Sequence, residues 1–487
     1  MGDYVTDVAY VRSFQPDLVP SQLRAVAALN GFAPPPAEGF AYCELGCGFG
    51  DTLVAIAAAN PGSSFVGIDL VPEHIAEARR MASAGGVENV VFLEQDFATA
   101  DVGPFDYIVA HGVMSWVGPE VRQAIVDFAR HRSRGDGLLF TSYNALPAWA
   151  TVQPLRELLL QAGGTDSLDR ARRGLALAKK VAATGYFANN PPAQAMLALM
   201  ERAGLPYIVH EYLHAHWAPL YFAQIAKLMQ DAGLPYIGSL PLSANYRDLV
   251  LPPGLAFDTD DRVTFEGLKD FAVETFLRRD VFACGLAVRS AEHTRRYLAE
   301  TTFALVALDD GVRELALPHR TLRFAGPRFD SVIARLGEGA ASGLDPDVLL
   351  RLLLAERIVP VHGATMRFDP AGIDEYTVPS AYNRMVLARP FSGEMPIVLA
   401  SPVIGAPLRM TALEAACVRL LTEVPPASRG AWIEEHFGAK GLKMSMGDRV
   451  IDDAAERRKL VHASLLTMRT RTLPKLVELG ILEPGEN

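Results

Sequence analysis

Apolar and polar positions divide the first 145 residues into two alternating patterns. Short apolar runs at 40–45, 64–69, 89–93, 105–110 and 137–143 have the length and composition of buried strands. Between them, positions 51–60, 72–84 and 119–132 carry apolar residues at helical spacing, the last two opening on a proline suited to a first turn. Strands alternating with helices of this length predict βαβ units and a parallel sheet, hence a Rossmann-like α/β fold. The pattern changes near Pro147. Residues 151–234 read as mostly helical, 245–288 as mixed, 318–330 as short strands and 346–356 as a helix. A proline-rich stretch at 390–407 reads as a linker before a small helical C-terminal domain. The expected division is therefore 1–150, a helical lid and regulatory region at 151–290, a mixed domain at 291–395 and a C-terminal domain at 396–487.

Composition narrows the function. Of 487 residues, 50% are hydrophobic and 21% charged, enough apolar material for several packed cores. The formal net charge of −10 argues against a nucleic-acid or membrane-surface partner. Four cysteines do not make a disulfide scaffold at this length, and Cys43 and Cys47 lack a second pair to complete a zinc site, so no metal is expected. No stretch approaches the roughly 18 apolar residues of a membrane helix, and the N-terminus lacks the basic-then-apolar order of a secretory signal. A cytoplasmic location is the expectation.

The chemistry concentrates where the first strand meets the first helix. Glu44-Leu45-Gly46-Cys47-Gly48-Phe49-Gly50 places a glycine-rich turn ahead of a helix N-terminus, where the backbone can approach a ligand closely. The spacing is G-x-G-x-G, with Asp51 at the third-glycine position of a dinucleotide fingerprint. No lysine lies between Gly46 and Asn60 to bind phosphate. Glu44 would repel a pyrophosphate and favour a cation. Asp69 and Asp96 follow the second and third strands, so three acids lie along the carboxyl edge of one sheet.

This pattern resembles the first motif of class I S-adenosylmethionine-dependent methyltransferases, whose cofactor carries a sulfonium and an ammonium group. The resemblance implies that Glu44, Gly46, Gly48, Gly50, Asp69, Leu70, Asp96, Phe97 and His111 bind the cofactor, with Asp69 on the ribose hydroxyls and Asp96 and Phe97 beside the adenine. Three further stretches narrow it: His111-Gly112-Val113-Met114-Ser115-Trp116-Val117, Ser142-Tyr143-Asn144-Ala145-Leu146-Pro147, and His210-Glu211-Tyr212-Leu213-His214-Ala215-His216-Trp217. Together with Phe14-Gln15-Pro16 they resemble bacterial methyltransferases with a methyltransferase regulatory domain, a group that includes the rickettsial protein-lysine methyltransferases. Met114 stands where that family has tyrosine, and Ala145 and Leu146 replace its Thr-Tyr.

The resemblance implies methyl transfer to a protein or peptide side chain, most simply a lysine amine. Trp116 and Tyr143 are then the expected catalytic residues, and Trp116, Tyr143 and Asn144 the substrate-binding ones, because they follow strands four and five where substrate should enter. Two alternatives stay open: a small-molecule O- or N-methyltransferase, and a non-enzymatic S-adenosylmethionine-binding regulator. His210 and His214 share a helical face, which reads as a packed interdomain helix rather than a metal site.

Overall fold

The computed structural model describes residues 8, 12–214, 216–285, 287–306, 313–339, 343–362, 368–371, 373–389, 397–437, 444–446, 449–451 and 453–485. Its centre is a seven-stranded sheet in the order β3-β2-β1-β4-β5-β7-β6. The strands are β1 (Ala41–Leu45), β2 (Ser64–Asp69), β3 (Val90–Glu94), β4 (Phe105–Ala110), β5 (Ser133–Asn144), β6 (Tyr236–Ser239) and β7 (Leu277–Ala283). The first five are parallel, and β7 runs antiparallel to both β5 and β6. Every residue of β4 is buried, as a parallel strand covered on both faces requires.

Helices α1 (Pro20–Leu29), α2 (Asp51–Ala59), α3 (Pro72–Ala84) and α4 (Pro119–Arg132) flank the sheet; α1, α3 and α4 begin at prolines, which lack only an N–H that the first turn would leave unbonded. Two apolar clusters mark the two faces. One joins α1, α2 and α3 to Tyr42, Tyr107 and Phe140 and continues into residues 297–482. The other joins α4 to Leu45, Ile108, Leu139 and Phe282. The chain turns from β1 to β2 and β3 on one side and to β4 and β5 on the other. The crevice above β1 and β4 is therefore a topological switch point, the place where such sheets bind ligands.

Helices α5 (Gln153–Gln161), α6 (Ser167–Ala182), α7 (Pro191–Ala203) and α8 (Leu205–Tyr212) form a helical unit with a core of its own around Val152, Leu159, Phe187 and Tyr212. Then α9 (Phe222–Asp231) leads into β6, and α10 (Arg247–Val250) and α11 (Arg262–Val273) precede β7; α12 (Ala291–Glu300) follows and packs on α1.

The apolar runs end the sheet at residue 143, yet two further strands follow, β6 between the expected helical and mixed stretches and β7 within the mixed one. The reason is a buried charge cluster in β7. Arg278 bonds Asp270 and Asp280 at 2.9 Å and Glu266 at 2.8 Å, while Lys269 reaches Glu266 at 2.6 Å. All five side chains are almost wholly buried. Leu277-Arg278-Arg279-Asp280 thus reads as polar in sequence although it forms interior sheet.

The C-terminal half also departs from expectation. Residues 397–401 and 406–410, which begin within the expected linker and run three residues past it, pair as an antiparallel hairpin that packs on α2. Asn60 ties the two together by donating to the Ile56 and Gly405 carbonyls at 2.8 Å. The rest of that stretch, 390–396, lies outside the described residues, as do residues 1–7.

Candidate active site

Three glycines of the loop after β1 take positive φ: Gly46 at 72°, Gly48 at 52° and Gly50 at 69°. A Cβ at Gly50 would lie 2.9 Å from Ala78 and Phe92, and one at Gly46 2.9 Å from Val113. Gly50 thus lets α2 close on α3 and β3, and Gly46 lets the loops after β1 and β4 approach each other. A Cβ at Gly48 or Gly112 would meet nothing within 4 Å, so these two glycines face open space on opposite sides of the crevice.

Asp69, at the end of β2, fixes the loop. Its Oδ2 accepts the Gly48 N–H and its Oδ1 the Val71 N–H, both at 2.9 Å, and His74 Nδ1 lies 3.3 Å from Oδ1. Burial alone would raise its pKa, but the His74 and backbone hydrogen bonds outweigh that and hold it below the usual carboxylate value. An ionised carboxylate has about four lone-pair sites, so Asp69 keeps acceptor capacity for a further donor. Leu70 beside it is 48% exposed, unusually open for a leucine.

Glu44 is 6% exposed and its Oε2 has no hydrogen-bond partner among the described residues. Burial, with added repulsion from Asp69 and Asp51, pushes its pKa up to about 8. A cation bound beside this carboxyl would favour its ionised form, whereas a phosphate would raise its pKa further. The acid therefore stays protonated in the folded, ligand-free chain well above pH 4.5, where an unfolded glutamate ionises. In that window the folded state holds the extra proton, so stability falls as pH rises from about 4.5 to about 8. Glu44→Gln is expected to flatten this slope, read as the difference between melting temperatures at pH 6 and pH 9. A slope that persists unchanged would place its origin elsewhere.

Asp96 stands exposed after β3, and its Oδ1 accepts the Ala98 N–H at 2.9 Å. It caps its own turn and has a second oxygen directed elsewhere. Phe97 is buried in the cluster with Leu45 and Ile68. His111, at the end of β4, has Nδ1 2.9 Å from the Ser142 hydroxyl, which also accepts the Gly112 N–H. Burial lowers its pKa to about 4, so the ring is neutral at pH 7.

A roof over the crevice comes from residues 213–214 and 216–220. Ala218 N–H donates to the Ser115 carbonyl, Leu220 N–H to the Asn144 carbonyl and Leu146 N–H to the Leu220 carbonyl, at 2.9–3.0 Å. Arg156 holds the segment from behind, donating to the Tyr212 and His214 carbonyls at 2.9 Å and covering the Trp217 ring at 4.5 Å. The Trp116 and His214 rings lie 5.5 Å apart. Burial lowers the His214 pKa to about 4, leaving that ring neutral too. Asn144 N–H donates to the Ser115 hydroxyl, and the side-chain Nδ2 of this 7%-exposed residue is unpartnered among the described residues.

Tyr143 requires a correction. It is 1% exposed, points away from the crevice, and donates its hydroxyl to Asp280 at 2.6 Å within the buried charge cluster. Side chains alternate along a strand, so Ser142 and Asn144 occupy the other face of β5 and Tyr143 cannot meet a substrate. Four contributors were not apparent from the motifs. Arg12 joins the lead-in segment to the loop by ion pairs with Asp51 at 2.6 Å and Glu77 at 2.8 Å. His74 orients Asp69, while Ser115 and Ser142 orient Asn144 and His111. The two serines lie inside the quoted motifs and could have been found from their positions; Arg12 carries no such signal.

The sheet order, the loop and the acids at the switch point define a Rossmann-like S-adenosylmethionine-dependent methyltransferase. Residues 43–139 match the family model of a methyltransferase domain, and 205–283 that of a predicted methyltransferase regulatory domain. The chain is 32% identical to an uncharacterized protein of Rickettsia prowazekii, over 42% of this chain and 85% of that one. It is 28% identical to an uncharacterized Synechocystis protein over 98% of this chain and 99% of that one. The structure of PKMT2 from Rickettsia typhi in complex with AdoHcy superposes with a TM-score of 0.70 at 20% identity, covering 97% of this chain and 99% of that one. The chain belongs to the family of S-adenosylmethionine-dependent methyltransferases with a methyltransferase regulatory domain. Among the described residues no group of three or more His, Cys, Asp or Glu side chains is placed to hold a metal ion, and no helix is long and apolar enough to cross a membrane.

Proposed function

We propose that this enzyme methylates a lysine side chain of a protein or peptide. S-Adenosylmethionine supplies an electrophilic methyl group; the residues of this chain would hold it through Asp69, Glu44 and the glycine loop. The observation that carries the proposal is the roof. Ala218 and Leu220 are fastened to the loop after β4 and the end of β5, and the Trp116 and His214 rings lie 5.5 Å apart beside them, which would offer an incoming acceptor aromatic faces.

Such faces suit an amine that must lose its proton before it can attack. Neutralising a lysine of pKa about 10.4 at pH 7 costs about 4–5 kcal/mol, and desolvation among neutral rings lowers that cost. Ring faces also hold the ammonium form on entry. His111 and His214, both neutral at pH 7, add no positive charge that would repel it. The Asn144 amide, whose backbone is fixed by Ser115 and Leu220, would orient the amine, and in-line attack would need its lone pair about 3–3.5 Å from the methyl carbon. The fold shared with a protein named PKMT2 supports the same reading.

Tritiated-methyl transfer into a fractionated host lysate, followed by mass-spectrometric localisation, tests it. Label on lysines of a protein band is expected; label confined to low-mass products would favour a small-molecule acceptor. Trp116→Ala should lower kcat/KM about tenfold or more through loss of ring contacts with the ammonium, while the cofactor Kd stays within about twofold. A change confined to cofactor affinity would remove Trp116 from the acceptor route.

A further inference from the structure

A second cavity of about 300 Å³ lies at the opposite edge of the sheet. It is lined from the residues just before β1 (Ala37, Glu38), the C-cap of α2 (Asn60), the start of α1 (Pro20, Ser21, Arg24), the end of α12 (Tyr297, Glu300) and the loops at 301–302, 360–362 and 404–405. Nothing in the methyl-transfer reading uses it. The Tyr297 side chain is 6% exposed, and its hydroxyl has no hydrogen-bond partner among the described residues. A buried hydroxyl without a partner costs about 1–3 kcal/mol, so its retention needs a reason. Half-buried Arg24 makes no hydrogen bond or ion pair within the described residues, although its charge is felt at Tyr107, Tyr297 and His362.

We infer that this cavity binds a small carboxylate-bearing metabolite, its carboxylate held between the Arg24 guanidinium and the Tyr297 hydroxyl. A planar guanidinium matches a carboxylate with two parallel hydrogen bonds, and the volume admits a ligand of amino-acid size. Two acids also line the cavity: Glu38, 3.3 Å from His362, and Glu300, which bonds Arg296. Against one arginine they disfavour a doubly charged phosphate and accommodate a single carboxylate, better still one that also carries an ammonium group. Helix α2 runs from the cofactor loop at its first residue to this cavity at its C-cap, and so connects the two sites through one rigid element.

Calorimetric titration of the full chain with L-glutamine, acetate and inorganic phosphate tests the assignment. Saturable binding of L-glutamine is expected, tighter than acetate, with phosphate weaker than both. Arg24→Gln should weaken L-glutamine at least tenfold. Tyr297→Phe should weaken it several-fold and leave the melting temperature of the ligand-free chain equal or higher, since an unsatisfied hydroxyl is removed. S-Adenosylmethionine affinity should be unaltered in both variants. No saturable binding of either carboxylate, phosphate binding most tightly, or L-glutamine binding that survives both substitutions would each overturn the inference.

Discussion

Asp69→Ala is expected to weaken S-adenosylmethionine binding at least about 100-fold, measured by titration calorimetry on the purified chain. The carboxylate has two tasks. It accepts the Gly48 and Val71 N–H groups, so its loss frees the middle of the glycine loop from β2. In the proposed reading its remaining lone pairs would accept the ribose hydroxyls. Hydrogen bonds to a charged acceptor are worth about 1.5–3 kcal/mol each, and two of them lost correspond to at least two powers of ten in Kd. Asp69→Asn, which keeps one carbonyl oxygen, should fall between wild type and alanine. An affinity unchanged in the alanine variant would remove the cofactor from this edge of the sheet.

The second large effect lies away from the chemistry. Arg278→Met should destabilise the chain by about 3–5 kcal/mol, seen as a lower urea midpoint, because it leaves Glu266, Asp270 and Asp280 sharing only Lys269 in a buried setting. The present arrangement depends on that cation. Burial would raise the Glu266 pKa, yet Lys269 and Arg278 hold it at about 2. Arg278 also lies over the Phe222 ring at 4.1 Å, so the substitution removes a packing contact as well. A midpoint matching wild type would show that the cluster is neutralised by protonation instead of by Arg278.

The same cluster explains what was legible in the sequence. Strands β1 to β5 were readable because their interiors are almost purely apolar, and the glycine loop and Asp69 because local spacing places them at strand ends. β7 was not readable. Its inward residues Arg278 and Asp280 are satisfied by partners on α11 and by Ser239, and no periodicity records a partner from another element. Tyr143 failed for a related reason: the motif placed it at the correct end of β5, but the face it takes depends on Asp280, 137 residues further on. Arg12, whose partner Asp51 is 39 residues away, was hidden in the same way. Trp116, His111 and Asn144 belong to local motifs, while the bonds of 218–220 to 115, 144 and 146 join segments far apart in sequence.

The antiparallel pairing of β5 with β7 carries a consequence for how the chain is made. Seven residues of β5, Leu138 to Asn144, find their outer partners only in 277–283. Until that stretch leaves the ribosome, the nascent sheet ends in an open strand, the kind of edge that recruits other chains. At about 5–20 residues per second the exposure lasts on the order of ten seconds. The cofactor-binding half is therefore not a module that can complete itself first. Its sheet is closed by the region that also bonds the loop after β4 and the end of β5 through Ala218 and Leu220, so a nascent chain cannot finish the one before it has made the other.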